Sequence, residues 1–421
     1  MTYINTLGNG LKRGLLKFSE KVSEGLPKPT QKFVAEMVYG IAASNSCKLT
    51  EIGRALEEEI PIKKTVDRFG RNLANFAHGE TVLDNLVDAL QPSLGTNTML
   101  LIDPSDVTKP CSPKMEAIGK VYDASAKKFR QGYWTMGAVA LTEENQQPVP
   151  IYEKLYPCKK QGGVGCTVET KIALEHLRKH FGPEVPRVLD RGFDAETIFK
   201  EFLMHDEKFI LRQNQNRAAD HHGKRTYIDD IVRGLDCTHE LTFHGKNGLS
   251  KCRIGMTTVL LPNMGNLKLN LVVCKGIGKK PLALYTNLNE NLEAFALRVV
   301  KAYLMRWRIE EFYAFKKQCL HFEDFRVRKL AAMQALDILL TAAAAYIGLL
   351  SAKADTSSFV AELIQISKRV QRFGAFLKHT KFFYRALAHA ISHVLACIKP
   401  RLSRFFVPPP PPPLQLCFQG V

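Results

Sequence analysis

Two tryptophans, no Cys-x-x-Cys pair and few acids near the carboxyl terminus are the conspicuous shortages of this sequence. Its 10 cysteines are irregularly spaced. Without paired spacing, zinc ribbons and thioredoxin-type redox centres are excluded, and the thiols read as reduced and mostly buried in a cytoplasmic protein. No charged start with an apolar stretch behind it suggests a signal peptide. Cys158 and Cys166 flank a glycine-rich loop and His221 adjoins His222, but neither pair has zinc-ligand spacing. No Ser-His-Asp or Cys-His arrangement is recognisable, so no side-chain nucleophile is expected. The long apolar run from Leu330 to Leu350 contains Gln334, Asp337 and five alanines between Ala335 and Ala345. Basic sequence follows it, which fits a buried helix better than a membrane span.

What is abundant is positive charge. The 421 residues carry 59 Lys and Arg against 41 Asp and Glu, a net charge of +18, which suits a polyanionic partner. The excess is uneven: 13 basic against 3 acidic residues from Arg326 to Val421, but 12 against 11 from Met1 to Leu94. A chain of this length and 45% apolar content can bury a large core and form several domains.

Two apolar runs end in a carboxylate. Met99 to Ile102 precedes Asp103, and Pro186 to Leu189 precedes Asp190. Both read as buried strands delivering an acid at the carboxyl end, where open α/β sheets bind their ligands. Asp106 and Asp194 are nearby competitors. Further on, YLMRWRIEEFYAFKK places Tyr303, Arg306, Glu310 and Lys317 at offsets 0, 3, 7 and 14. On a continuous helix these fall within a stripe about 60° wide. A solvated charged face is the ordinary meaning of such a stripe. One carboxylate framed by two cations and a phenol also suits a metal site that grips phosphates.

The four-residue spacing is identical to the Tyr-(2)-Arg-(3)-Glu-(6)-Lys signature, and the chain therefore resembles bacterial cut-and-paste DDE transposases of the insertion-sequence-four family. The resemblance selects Glu310 over Glu311. It implies that Asp103, Asp190 and Glu310 are catalytic and hold two Mg²⁺ or Mn²⁺ ions. It also implies that Tyr303, Arg306 and Lys317 clamp DNA, and that a DNA hairpin forms and reopens. The segment DRGFD resembles the family's strand-to-helix turn. Implied partners are double-stranded DNA (terminal inverted repeats and target) and a second copy of the chain, with no membrane, in a bacterial, nucleoid-associated setting. Other readings are a domesticated or decayed relative that binds DNA without cutting it, and a structure-selective nuclease.

The expected fold is α/β: a ribonuclease H-like core with a β-rich insertion, flanked by helical ends. Residues 1–95 form a helical DNA-binding domain. There Leu49–Ala55 and Lys64–Phe76 resemble a helix-turn-helix that offers Lys63, Lys64, Arg68 and Arg71 to DNA. Residues 96–207 are the first part of the core, with strands at Tyr133–Leu141 and Val149–Leu155 and a helix at Val168–His180. Residues 208–290 are the insertion, 291–325 carry the Glu310 helix, 326–407 are helical and basic, and 408–421 are a proline-rich tail. A base-stacking aromatic is sought among Tyr227, Phe243, Tyr285 and Phe295, while Trp307 is expected to pack in the core.

Overall fold

Among the described residues, helices come first and last and strands lie between them. The computed structural model describes residues 2–142, 147–245, 248–288, 294–371 and 382–398; the proline run and the final segment lie outside them. Five helices come first: α1 (Thr2–Val22), α2 (Lys28–Ser44), α3 (Leu49–Ala55), α4 (Ile62–Ala74) and α5 (Gly79–Leu90). Strands β1 (Thr98–Thr108), β2 (Gly119–Asp123), β3 (Lys128–Thr142) and β4 (Val149–Tyr156) precede α6 (Cys166–Arg178), β5 (Arg187–Leu189), α7 (Glu196–Met204) and β6 (Phe209–Arg212).

Within these strands, β4 pairs with β3 and β3 with β1, both antiparallel. β1 then pairs parallel with β5, and β5 parallel with β6. Three antiparallel strands followed by two parallel ones that return through helices is the ribonuclease H topology, so the expected α/β class holds. Met99 to Ile102 are fully or nearly buried, as a strand flanked on both edges and covered on both faces must be.

The chain then adds β7 (Ala218–His221), β8 (Lys224–Tyr227), α8 (Ile228–Gly234), β9 (His239–Gly245), β10 (Gly248–Leu261), β11 (Leu267–Lys275) and β12 (Leu282–Thr286). β12 pairs antiparallel with β6, so these strands extend the core sheet instead of standing apart, giving 12 strands in all. β6 is itself the fifth core strand.

Helices α9 (Ala294–Met305), α10 (Trp307–Gln318), α11 (Leu330–Ala352), α12 (Ser358–Gln371) and α13 (Tyr384–Cys397) complete the described chain. Of the described helices, α11 alone is long and apolar enough to cross a membrane, yet 78% of its apolar window is buried in the fold. It packs on β4 and against α2, α4, α5 and α13, so it is apolar because protein surrounds it. α1 lies on α2, α5 and α13, which joins both ends of the chain in one helical layer and one hydrophobic core. All nine described cysteines are free; four are buried and three exposed, fewer buried than the sequence suggested.

Candidate active site

The parallel pairing of β1 with β5 ends at Ile102 opposite Leu189. The next residue on each strand is an acid, so Asp103 and Asp190 leave neighbouring strands in register and on the same face. β1 does not stop there, as the sequence suggested. It continues to Thr108 along β3, and Asp103 lies opposite Gly137. That glycine has a specific cause: a Cβ at this point would overlap the Tyr313 hydroxyl. Tyr313, on α10, donates a hydrogen bond to the Asp103 carbonyl and thereby fixes the helix to the strand at the acid.

The segment from Tyr303 to Lys317 is two helices, not one continuous helix. α9 ends at Met305, the Arg306 amide bonds to the Tyr303 carbonyl (3.0 Å), and α10 begins at Trp307. Three signature residues meet the acids around this point. The Tyr303 hydroxyl donates to Asp190 Oδ1 at 2.7 Å. The Arg306 guanidinium spans Asp103 Oδ2 at 2.8 Å and Glu310 Oε1 at 2.6 Å. Glu310 sits in the first turn of α10, where the helix dipole favours a carboxylate. Lys317 lies two turns further along and pairs with Asp106 at 3.2 Å, so the fourth signature residue is not at the acids.

The electrostatics follow from packing three acids around Arg306, with Arg212 beside Asp190. Burial pushes Asp103 up to about 7; Arg306 opposes this, while Asp190 and Glu310 add to it. Burial also acts on Asp190, but the Tyr303 hydroxyl, Arg306 and the Arg191 amide hold it below the usual carboxylate range. Tyr303 is raised to about 12 by burial and by Asp190, so it stays a donor. Burial lowers Arg306, but Asp103 and Asp190 outweigh it and raise the guanidinium. Its Nε is buried and without a hydrogen-bond partner.

Hard divalent cations fit this donor set, because three carboxylates converge here against two guanidinium groups, Arg306 and Arg212, which leaves one negative charge unmatched. With Arg306 interposed, the acids do not form a ready cage. Among the described residues, one group of possible ligand atoms lies mutually within 4.8 Å: Asp84, His176 and His180, which ties α5 to α6 away from these acids.

The competing acids have other uses. Asp194 is fully buried, accepts the Asn214 and Gln215 amides at 2.7 and 2.8 Å and pairs with Arg217, anchoring the turn after Asp190. Glu311 pairs with Arg308 at 2.5 Å. Behind the site, Lys316 is buried between Glu153 on β4 (2.6 Å) and Asp337 on α11, and these contacts fix the rotation of α10.

Several expectations need correction. Arg68, 29% exposed, pairs with Glu36 at 3.1 Å and Glu58 at 2.9 Å, compensating a buried acid on α2. Lys63, Lys64 and Arg71 on α4 are exposed. Trp307 is 49% exposed beside Arg306 instead of packed in the core. Tyr285 and Phe295 are buried and cannot stack on a base; Tyr227 is exposed, and the Phe243 side chain lies outside the described residues. Tyr313 was missed although it follows Glu310 at helical spacing. So was Arg212, which ends β6 as Asp190 follows β5 and lies 3.7 Å from Asp190.

No model of a known protein family matches the chain, and no curated protein sequence matches it. Among solved structures it is similar to a cryo-EM structure of the piggyBac transposase synaptic complex with hairpin DNA. The TM-score is 0.45 and the identity 11%, over 94% of this chain and 81% of that one.

Proposed function

We propose that this protein is a DDE-type DNA transposase of the insertion-sequence-four kind, cutting DNA at transposon ends and joining those ends to target DNA. The observation that carries the reading is the meeting of two chain-distant signals: in-register acids within β1 and just after β5, and Tyr303, Arg306 and Glu310 contacting them from the α9–α10 junction. Asp103, Asp190 and Glu310 would hold the divalent cations. Two such ions would supply activation of an attacking water or 3′-hydroxyl and stabilisation of the departing 3′-oxygen.

The other side chains position and clamp. Tyr303 orients Asp190 and, as a neutral phenol, adds no charge against phosphate. Arg306 neutralises the acids when cations are absent and serves as the phosphate clamp when cations take the carboxylates. Trp307, exposed one residue from that clamp, is the aromatic best placed to stack on an extruded base in a hairpin intermediate. Lys317, Lys63, Lys64 and Arg71 extend the DNA contacts. Two copies pair two ends, and the reaction runs on nucleoid DNA in a bacterial cytoplasm.

The test is cleavage of the DNA flanking the gene by the purified chain with Mg²⁺ or Mn²⁺. Nicks leaving a 3′-hydroxyl at a defined boundary are expected. Asp103→Asn and Asp190→Asn should bind the same DNA without cutting it. Cleavage that survives either substitution or full chelation of divalent cations would overturn the reading.

A further inference from the structure

The hairpin formed by β2 and β3 has no part in the reading above. Its five strand residues from Gly119 to Asp123 alternate buried and exposed, so one face packs inward and the other faces solvent. On the outward face Tyr122 pairs directly across from Phe129. The rings meet edge to face at 5.4 Å, and they are 43% and 71% exposed. Lys120 shares that face, Lys127 lies in the turn and Lys128 precedes Phe129 on the strand; all three are exposed. The hairpin's one acid is spent internally: Asp123 accepts the Ala126 amide at 2.8 Å, closing the turn, and pairs with Arg130 at 3.1 Å. What remains on the surface is two aromatic rings among uncompensated lysines, on a firmly closed turn.

Topology aims this surface. β3 runs antiparallel to β1, so its beginning lies beyond the carboxyl end of β1, on the edge where Asp103 and Asp190 stand. Phe129 is eight residues before Gly137, the partner of Asp103. At ~3.3 Å per residue that is about 26 Å, the length of roughly eight base pairs.

We infer that the β2–β3 hairpin is a second DNA contact, gripping duplex about eight base pairs from the cleaved bond. Its lysines meet phosphates, and the Tyr122–Phe129 pair lies against sugar and base edges in the minor groove. This deepens the transposase reading and rests on it for the position of the DNA. Duplex is favoured over a second copy of the chain because both copies carry +18 and would meet through lysines.

The experiment measures binding of the full chain to duplexes by fluorescence anisotropy across a salt series. Lys127→Ala with Lys128→Ala should make the dependence of log affinity on log salt shallower by about two. Phe129→Ala should weaken binding about tenfold with little change in slope. Both effects should vanish on duplexes trimmed to fewer than about eight base pairs beyond the cleavage point. The residues lie on the surface, and circular dichroism melts should coincide with wild type. Unchanged slope and affinity would overturn the inference, as would sedimentation showing that Phe129 instead governs self-association. The two readings fail separately. If Asp190→Asn still cuts while the hairpin variants bind poorly, the carboxylate site is misassigned; the hairpin stands as a DNA contact and only its distance from the cleaved bond falls. If Asp190→Asn is dead while the hairpin variants bind normally, only the hairpin inference falls.

Discussion

Replacing Lys316 with Met should destabilise the protein in a pH-dependent way. Lys316, Glu153 and Asp337 are each 1% exposed or less, and the ammonium is the cation that holds both acids. It also lies 4.0 Å from the centre of the Phe322 ring, so it has no aqueous alternative. Methionine fills most of the volume but leaves two buried carboxylates facing each other, a break that costs about 3–5 kcal/mol. Burial already lifts Asp337 to about 7 against the pull of Lys316. Without that pull the pair must keep a proton in the folded state that the unfolded state releases. Folded protein then binds more protons than unfolded, so stability falls as pH rises, by about 1.4 kcal/mol per unit for one proton. Urea midpoints at pH 5.5, 7 and 8 should show the gap between Lys316→Met and wild type widening steadily. Adding Asp337→Leu and Glu153→Gln should recover most of the loss. A Lys316→Met protein as stable as wild type at pH 8, or a gap that ignores pH, would refute the argument.

Three other outcomes follow from particular contacts. Burial lowers His176 to about 4, against the pull of Asp84, so the unfolded chain takes up a proton that the folded one refuses. Stability should drop as pH falls from 6.5 towards 4, by up to about 3 kcal/mol, and His176→Gln should flatten that part of a pH–denaturation profile. Gly137→Ala should cost about 1–3 kcal/mol and impair cleavage, because the methyl displaces Tyr313 from Asp103; calorimetry of the double variant with Tyr313→Phe should show a smaller cost than in the single one. In the amino-terminal helices, Lys63→Ala, Lys64→Ala and Arg71→Ala together should make the salt dependence of DNA binding shallower by about three, whereas Arg68→Ala should leave that slope alone and lower stability by about 2 kcal/mol.

Asp103 and Asp190 were legible because a buried apolar run followed by an acid is a local pattern, although β1 runs on to Thr108, and register alone sets the two side by side. The offsets of Tyr303, Arg306 and Glu310 were equally local. What spacing could not reveal was the break at Arg306, since nothing in LMRWRI contains a helix breaker and the turn is stabilised by contacts to distant acids. The same limit hid the exposure of Trp307, which tertiary packing decides. Arg68 was misread for a related reason: its partners Glu36 and Glu58 lie 32 and 10 residues away in sequence, and helix packing decides that a cation turns inward. The β2–β3 hairpin went unread because its strand is short and only tertiary pairing separates it from a loop.

Cleavage by Glu310→Gln beside Glu311→Gln tests the central claim most directly. The first keeps side-chain size and helix preference but removes a charge that would hold a cation, while Arg306 loses one of its two acids. The second removes only the partner of Arg308. Mn²⁺-dependent nicking of the DNA flanking the gene should fall by several orders of magnitude in Glu310→Gln, with DNA binding kept or tightened, and stay near wild type in Glu311→Gln. Cleavage that persists in Glu310→Gln would contradict the account.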